Sequence, residues 1–390
     1  MNEWKNVKLK DVADIFSGYA FKSKDMNNNC GTPLIKIKNI NDFIVSTECD
    51  SFLNLDIDLS KWEKYRLQIN DFLIAMTGQG SVGRVGKMMN YSSIYFVNQR
   101  VAIVRPNCNL VNPYFLYKIF ATNERQLELF KKANGAGQPN ISPSQIGDVE
   151  FYIPNIKNQC RIATILSRYD SLIENYQKQI KLLEESAQRL YKEWFIDLRF
   201  PGHENTKIVD GVPEGWEKKS VDSIFSIKYG KNLSTTLISE SGVFPVYGAN
   251  GVIGYYDKAN CNEQVVLITS RGNGSGDVLM TYHKEAFITN NSFIVTPLEE
   301  YLYCQLPFTY QFLKCANFRN VRTGAAQPQL TNQSIHTIDV ILPTKDVIVE
   351  FCKKTDSNNS LIINLKEDIR HLTEARDRLL PKLMSGEIIV

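Results

Sequence analysis

Residues 135–154 read GAGQPNISPSQIGDVEFYIP, and residues 324–343 read GAAQPQLTNQSIHTIDVILP. The second stretch follows the first without a gap at an offset of 189 (324 − 135 = 189). Six positions are identical and five more are conservative replacements, so the same corner is built twice. The offset then carries Ser171-Leu172-Ile173 onto Ser360-Leu361-Ile362, Glu185 onto Glu374 and Leu190 onto Leu379. Each copy also opens alike, around Trp4 and Trp216, at a different offset (216 − 4 = 212), so the copies differ by insertions before the corner. A period this long exceeds the roughly 20–50 residues of a solenoid module. A chain of 390 residues is also too long for a single core. The chain therefore reads as a duplicated domain, each copy a globular part, the corner and a helix.

The helices follow from periodicity. Between Lys157 and Phe195 there is neither Gly nor Pro, and apolar residues recur at heptad spacing: Ile173, Tyr176, Ile180, Leu183, Ala187, Leu190 and Trp194. Pro201-Gly202 stops the element. The second copy repeats the stripe with Ile362, Leu365, Ile369, Leu372, Leu379 and Leu383, with Arg376 where the first copy has Ala187; Pro381 is expected to kink or end it. A helix of about 40 residues spans roughly 60 Å and leaves an apolar stripe to cover. Two of matched length can cover each other as an antiparallel coiled coil, or each can pack on its own domain or on another protein. The expected segments are 1–155, a helix over 156–200, a polar Gly/Pro-rich linker over 201–214, 215–344, and a second helix over 345–390.

The globular parts read as mixed α/β, so the fold class is α+β. Strand candidates are PLIKIKNI, DFLIAM, SIYFV and RVAIVRP in the first copy, and VVLITS, DVLMTY, EAFIT and SFIVTP in the second. Each copy carries a Gly-rich loop between strands, TGQGSVGRVGKM (77–88) and SRGNGSGDVLM (270–280), either a plain turn or a surface meeting phosphates. Neither has the GK[ST] ending of a nucleotide-binding loop. NPYF at 112–115 lacks the second Pro of an amino-methyltransferase turn and reads as a helix start with Pro at its first position. No GxSxG, HExxH or helicase motif occurs. The eight cysteines form no CxxC and do not combine with the four histidines at metal-ligand spacing, as expected of reduced thiols. The net charge of +3 is weak evidence for or against nucleic acid. The opening MNEWKNVKLK has no signal-peptide core and no stretch approaches the ~18 apolar residues of a membrane span, so a soluble, cytoplasmic protein with no membrane partner is expected.

Two diverged globular parts, each ending in a GAGQPN/GAAQPQ corner, a strand closing on Pro (FYIP, VILP) and a long helix, resemble the specificity subunit of type I restriction–modification systems. The helix text QCRIATILSRYDSLIENYQKQIKLLEESAQRLYKEWF, the VPEGW that opens the second half, and VYGANGVIGYYDKA followed by VVLITSRG carry the same resemblance. It implies two pseudo-symmetric target recognition domains separated by a long antiparallel two-helix coiled coil, reading an asymmetric, bipartite sequence in double-stranded DNA. It implies a bacterial or archaeal, non-catalytic subunit that docks two modification subunits and then restriction subunits. No cofactor would be bound by this chain; S-adenosylmethionine, ATP and Mg would belong to the partners. A coiled-coil scaffold, or an orphan DNA-binding relative without active partners, is the alternative.

Base reading needs Arg for guanine and Asn or Gln for adenine, with Lys, Ser and backbone amides on phosphates. In the first copy the candidates are Gln79, Ser81, Arg84 and Lys87 of the Gly-rich loop, Lys36 and Lys38, and the cluster Asn98, Gln99 and Arg100. In the second they are Arg271, Asn273, Ser275, Asn290, Asn291, Arg319 and Arg322. Gln138 and Gln327 could serve DNA or the fold; they recur in the corner, where target-specific residues should vary, which favours the fold.

Overall fold

The computed structural model describes residues 4–89, 91–135, 137–324, 328–388 and 390. It divides into two compact units, Met1–Ser171 with Glu374–Val390, and Leu172–Thr373. The division falls inside both long helices, so each unit holds one globular part and portions of both helices.

In the first unit the main sheet is antiparallel, in the order Ala13–Ser17, Val101–Pro106, Phe72–Ala75, Val85–Gly86. Phe72–Ala75 is buried throughout, as a continuous apolar run without polar alternation requires. A ribbon pairs Lys5–Lys8 with Glu150–Ile153, the strand that leads into the first long helix. A smaller sheet contains Thr32–Ile35 beside Phe96–Val97 in parallel. PLIKIKNI does not stay extended: the Asn39 side chain accepts the Lys36 N–H at 2.9 Å and turns residues 37–39 into a 3-10 helix. NPYF is a helix start, with Asn112 capping Pro113–Phe120 through the Phe115 N–H. Thr122 caps a second helix, Asn123–Lys132.

The second unit repeats this plan. Its main sheet runs Phe225–Tyr229, Ser292–Pro297, Val266–Thr269, Val278–Met280, its ribbon pairs Glu217–Ser220 with Asp339–Leu342, and its smaller sheet sets Phe244–Gly248 parallel to Phe287–Ile288. The segment read as a linker contains a hairpin, Ile208–Val209 with Val212–Pro213. Asp210 and Gly211 both have positive φ (51° and 80°), as a two-residue turn that follows strand twist demands.

The first long helix is Ile156–Tyr191, closed by a π turn over Lys192–Ile196; the second is Lys345–Ser385. Pro381 lies inside the second, which continues to Ser385. Within the second unit the helices are antiparallel: Ile180 packs with Ile362 and Leu365, flanked by Tyr176, Leu183 and Ile369, while Tyr191 and Trp194 meet Phe351 at ring separations of 5.9 and 6.0 Å. Ile173 is buried there and Leu372 half-buried. The ends of the two stripes are absorbed by globular cores. Leu190 and Trp194 join Trp216, Phe308 and Phe351 in the second unit, and Leu379 and Leu383 join Ile162, Leu166 and Phe151 in the first. The middle of the stripe is an apolar helix–helix seam, and its ends are shared between the facing helix and a globular core.

A polar cluster around Asp170 interrupts the apolar packing of the first unit. Asp170 takes Lys118 Nζ at 2.6 Å, Arg376 Nη1 at 2.9 Å and the Tyr114 hydroxyl, and its side chain is 10% exposed. Burial alone would raise the Asp170 pKa; Lys118 and the hydrogen bonds outweigh it and hold the carboxyl below its usual range.

Asp170→Ala should cost about 3–5 kcal/mol, because it leaves the buried Lys118 without its anion and Arg376 with the exposed Asp377 alone. Because the folded-state pKa is depressed, the stability from Asp170 is complete above the ordinary value of about 4 and is lost as pH falls through the lowered one. The acid limb of a melting-temperature profile should therefore be shallower in Asp170→Asn than in the parent.

Candidate nucleic-acid interface

The candidate readers gather where three loops meet at one end of the main sheet. In the first unit the junction is Met76. Its N–H donates to the Arg100 carbonyl at 3.0 Å, and its carbonyl accepts the Ile141 N–H at 2.9 Å. Two residues on, Gly78 N–H reaches the Pro139 carbonyl at 3.2 Å. The Gly-rich loop, the Asn98-Gln99-Arg100 turn and the repeated corner are thus tied together by backbone alone. The corner closes on itself through reciprocal bonds of 2.8 Å between Asn134 and Asn140.

The second unit builds the same junction at Ser270. Its N–H donates to Asn291 and its carbonyl accepts from Leu330, both at 2.8 Å, while Gly272 N–H reaches Pro328 at 3.0 Å. Thr323 and Gln329 exchange bonds of 2.9 Å, one offset of 189 from Asn134 and Asn140.

Two glycines seat the middle loops. A Cβ on Gly18 would lie 2.3 Å from the Val97 carbonyl oxygen, and one on Gly230 would lie 2.3 Å from that of Thr289. Bare backbone at these points lets Tyr19 accept the Gln99 N–H at 3.1 Å and Lys231 accept that of Asn290 at 3.0 Å. Gly18 and Gly230 are related by the opening offset of 212 (230 − 18 = 212), the sequence signal that could have found them.

The side chains sort into three groups. Gln79, Gln99 and Arg100 in the first unit, and Arg271 and Asn273 in the second, are exposed on these loops, as is Gln138 of the corner. Ser81, Asn98, Asn290 and Asn291 are half-buried beside them. Arg84 and Arg319 are tethered: Arg84 to the Gly80 carbonyl and Asn41 at 3.0 Å each, Arg319 to Asp277 at 2.6 and 3.0 Å. Arg322 donates to the Arg319 carbonyl at 3.0 Å. Lys36 and Lys38 belong to the 3-10 segment instead, engaging Ser51 and Asp50. Asn41 and Asp277 have no signal in the sequence, because a side chain's partner across the fold leaves no local pattern. Gln327 lies outside the described residues.

Two candidates are corrected. Lys87 is buried, with Nζ donating to the Ile69 and Asp71 carbonyls at 2.6 and 3.4 Å; burial pulls its pKa down to about 8 against the opposing pull of Asp71. It braces the hairpin from inside and presents nothing to a phosphate. Ser275 is fully buried, its hydroxyl donating to the Ser270 carbonyl at 3.3 Å.

What remains on each platform is a set of amides and guanidinium groups on backbone-tied turns, the donor chemistry that base edges require, over glycines that permit close backbone approach. Residues 1–185 and 213–371 match the family model of the type I restriction modification DNA specificity domain. The chain belongs to this family. Among its relatives, the MjaIX specificity subunit of Methanocaldococcus jannaschii is 27% identical over 81% of this chain and 78% of its own length. The HindI specificity subunit of Haemophilus influenzae is 23% identical over 100% of both chains. A crystal structure of the S subunit from M. genitalium shares the fold, with a TM-score of 0.62 and 18% identity over 98% of this chain and 96% of that one. As a specificity subunit, this protein is the DNA-recognising, non-catalytic component of a restriction–modification complex, and it acts with other subunits. No helix among the described residues is long and apolar enough to cross a membrane.

Gly230→Ala should destabilise the second unit by about 1–3 kcal/mol, since its methyl collides with backbone that cannot yield. Gly80→Ala meets nothing within 4 Å and should cost only about 1–2 kcal/mol, for its φ of +75°. Urea titrations of both variants would order them.

Proposed function

We propose that each three-loop platform reads one half of a split DNA target, so that the protein recognises an asymmetric bipartite sequence with an unread spacer. The observation that carries this reading is the pairing of a repeated backbone frame with diverged side chains: Gln79, Gln99 and Arg100 on one platform, Arg271, Asn273, Asn290 and Asn291 on the other. A constant frame with variable donors is what two readers of different sequences require. Corner residues such as Gln138 serve the frame. The long helices would set the distance between the half-sites, and insertions or deletions in them would change the spacer.

In this reading two modification subunits dock on the protein and supply S-adenosylmethionine-dependent methylation of adenine, and restriction subunits bring ATP and Mg. The whole works on cytoplasmic DNA.

Methylome sequencing of cells expressing this chain with its cognate modification subunit tests the proposal. A bipartite motif with methyladenine in both halves, lost on deletion of the chain, is expected. A soluble assembled complex without any motif would favour a scaffold or an orphan DNA-binding protein. Arg100→Ala should relax only one half of the motif and Arg271→Ala only the other, each by about 1–3 kcal/mol of base discrimination in competition binding.

A further inference from the structure

The apolar seam cannot tell the two long helices apart. Under the repeat offset Ile173 falls on Ile362, Ile180 on Ile369, Leu183 on Leu372 and Leu190 on Leu379, so a helix meeting a second copy of itself would find nearly the same stripe. The charged contacts between the helices are not degenerate in this way. In the first unit Asp170 of the first helix takes Arg376 of the second at 2.9 Å. In the second unit Glu184 of the first helix lies 3.8 Å from Lys366 of the second, whose Nζ sits 3.2 Å over the Tyr282 ring.

Moving each partner by the offset removes both pairs. Arg376 corresponds to Ala187 (376 − 189 = 187) and Lys366 to Gln177 (366 − 189 = 177). Two first helices paired in the same antiparallel register would set Asp170 against Ala187 and Glu184 against Gln177. Asp170 corresponds to Asn359 (170 + 189 = 359) and Glu184 to Thr373 (184 + 189 = 373), so two second helices would leave Arg376 and Lys366 facing neutral residues. Ala187 and Asn359 in fact line a cavity of about 30 Å³ in the second unit, with Glu184 and Ile362.

We infer that Asp170–Arg376 and Glu184–Lys366 form a pairing code that makes each chain join its first helix to its second and rejects like-with-like pairing between copies. Polar contacts that fix register and partner in coiled coils act by this logic, here with Asp170 largely buried and Glu184–Lys366 half-exposed. The code stands independently of how DNA is read; the proposed reading adds that it also protects the spacer length.

Sedimentation equilibrium of the full chain across a concentration series tests it. A domain-swapped dimer that joins first helix to second keeps both charge pairs, so neutralising them does not favour it over the closed monomer. Only like-with-like dimers gain. Arg376→Gln with Lys366→Gln should therefore raise the association constant at least about tenfold, equivalent to about 1.4 kcal/mol. The exchange Glu184→Lys with Lys366→Glu restores the unlike pair and should associate like the parent. Unchanged association in the neutralised chain, or a parent that already associates as tightly, overturns the inference. Should the double variant lose its cooperative melt, Lys366→Gln alone carries the same comparison.

Discussion

Each unit hangs its exposed readers on one strand end, at Met76 or Ser270, whose N–H and carbonyl are both consumed by neighbouring loops. Buried backbone donors and acceptors must be paired, and at this point the other two loops supply partners for both groups. Each loop therefore completes the hydrogen bonding of the next. The Gln-Pro corner contributes a proline, Pro139 or Pro328, that offers a carbonyl to Gly78 or Gly272 and has no N–H of its own to satisfy. Because the frame is made of backbone, the side chains above it are free to differ. The Gln-Pro pair of the corner recurs in both copies while Gln99-Arg100 and Asn290-Asn291 differ.

The long helices are held by two kinds of contact with different roles. Ile180, Ile362 and Leu365 are 5–8% exposed, and burial of each such side chain is worth about 1.5–3 kcal/mol. This supplies attraction without identity, because the stripe is repeated. Leu190 and Trp194, and Leu379 and Leu383, are sunk into globular cores, so each helix end is anchored in a unit as well as along the seam. Charge supplies the identity. Asp170 stays ionised among Lys118, Arg376 and Tyr114 because its partners outweigh the burial that opposes it.

Several elements set by neighbouring residues form as the sequence predicts, whereas Pro381 does not end its helix and Asn39 turns a predicted strand. The Asn112 cap with Pro113, the all-buried Phe72–Ala75 strand and the heptad stripe each depend on residues a few positions apart. Polarity in the Gly-rich loops does not mean exposure. Lys87 and Ser275 lie in Gly-rich loops whose composition suits a surface, yet both point inward, where backbone carbonyls satisfy them. Lys36 left its strand because Asn39 offered its N–H a nearer partner than a neighbouring strand could. Arg376 was visible as a break in the apolar stripe, but its reason, Asp170, lies 206 residues away.

The sequence by itself determined the duplication, the mixed α/β class, the two helices and the absence of any familiar catalytic motif, because repeat offset and periodicity are properties of the chain alone. The tertiary structure decided which loops meet, which donors face outward and which charges join the helices. Those depend on the direction of side chains and on partners brought together only when the chain closes on itself. Side-chain direction reverses with each residue of a strand and with each turn of a loop, so a loop's composition cannot say which of its polar groups face solvent and which the interior.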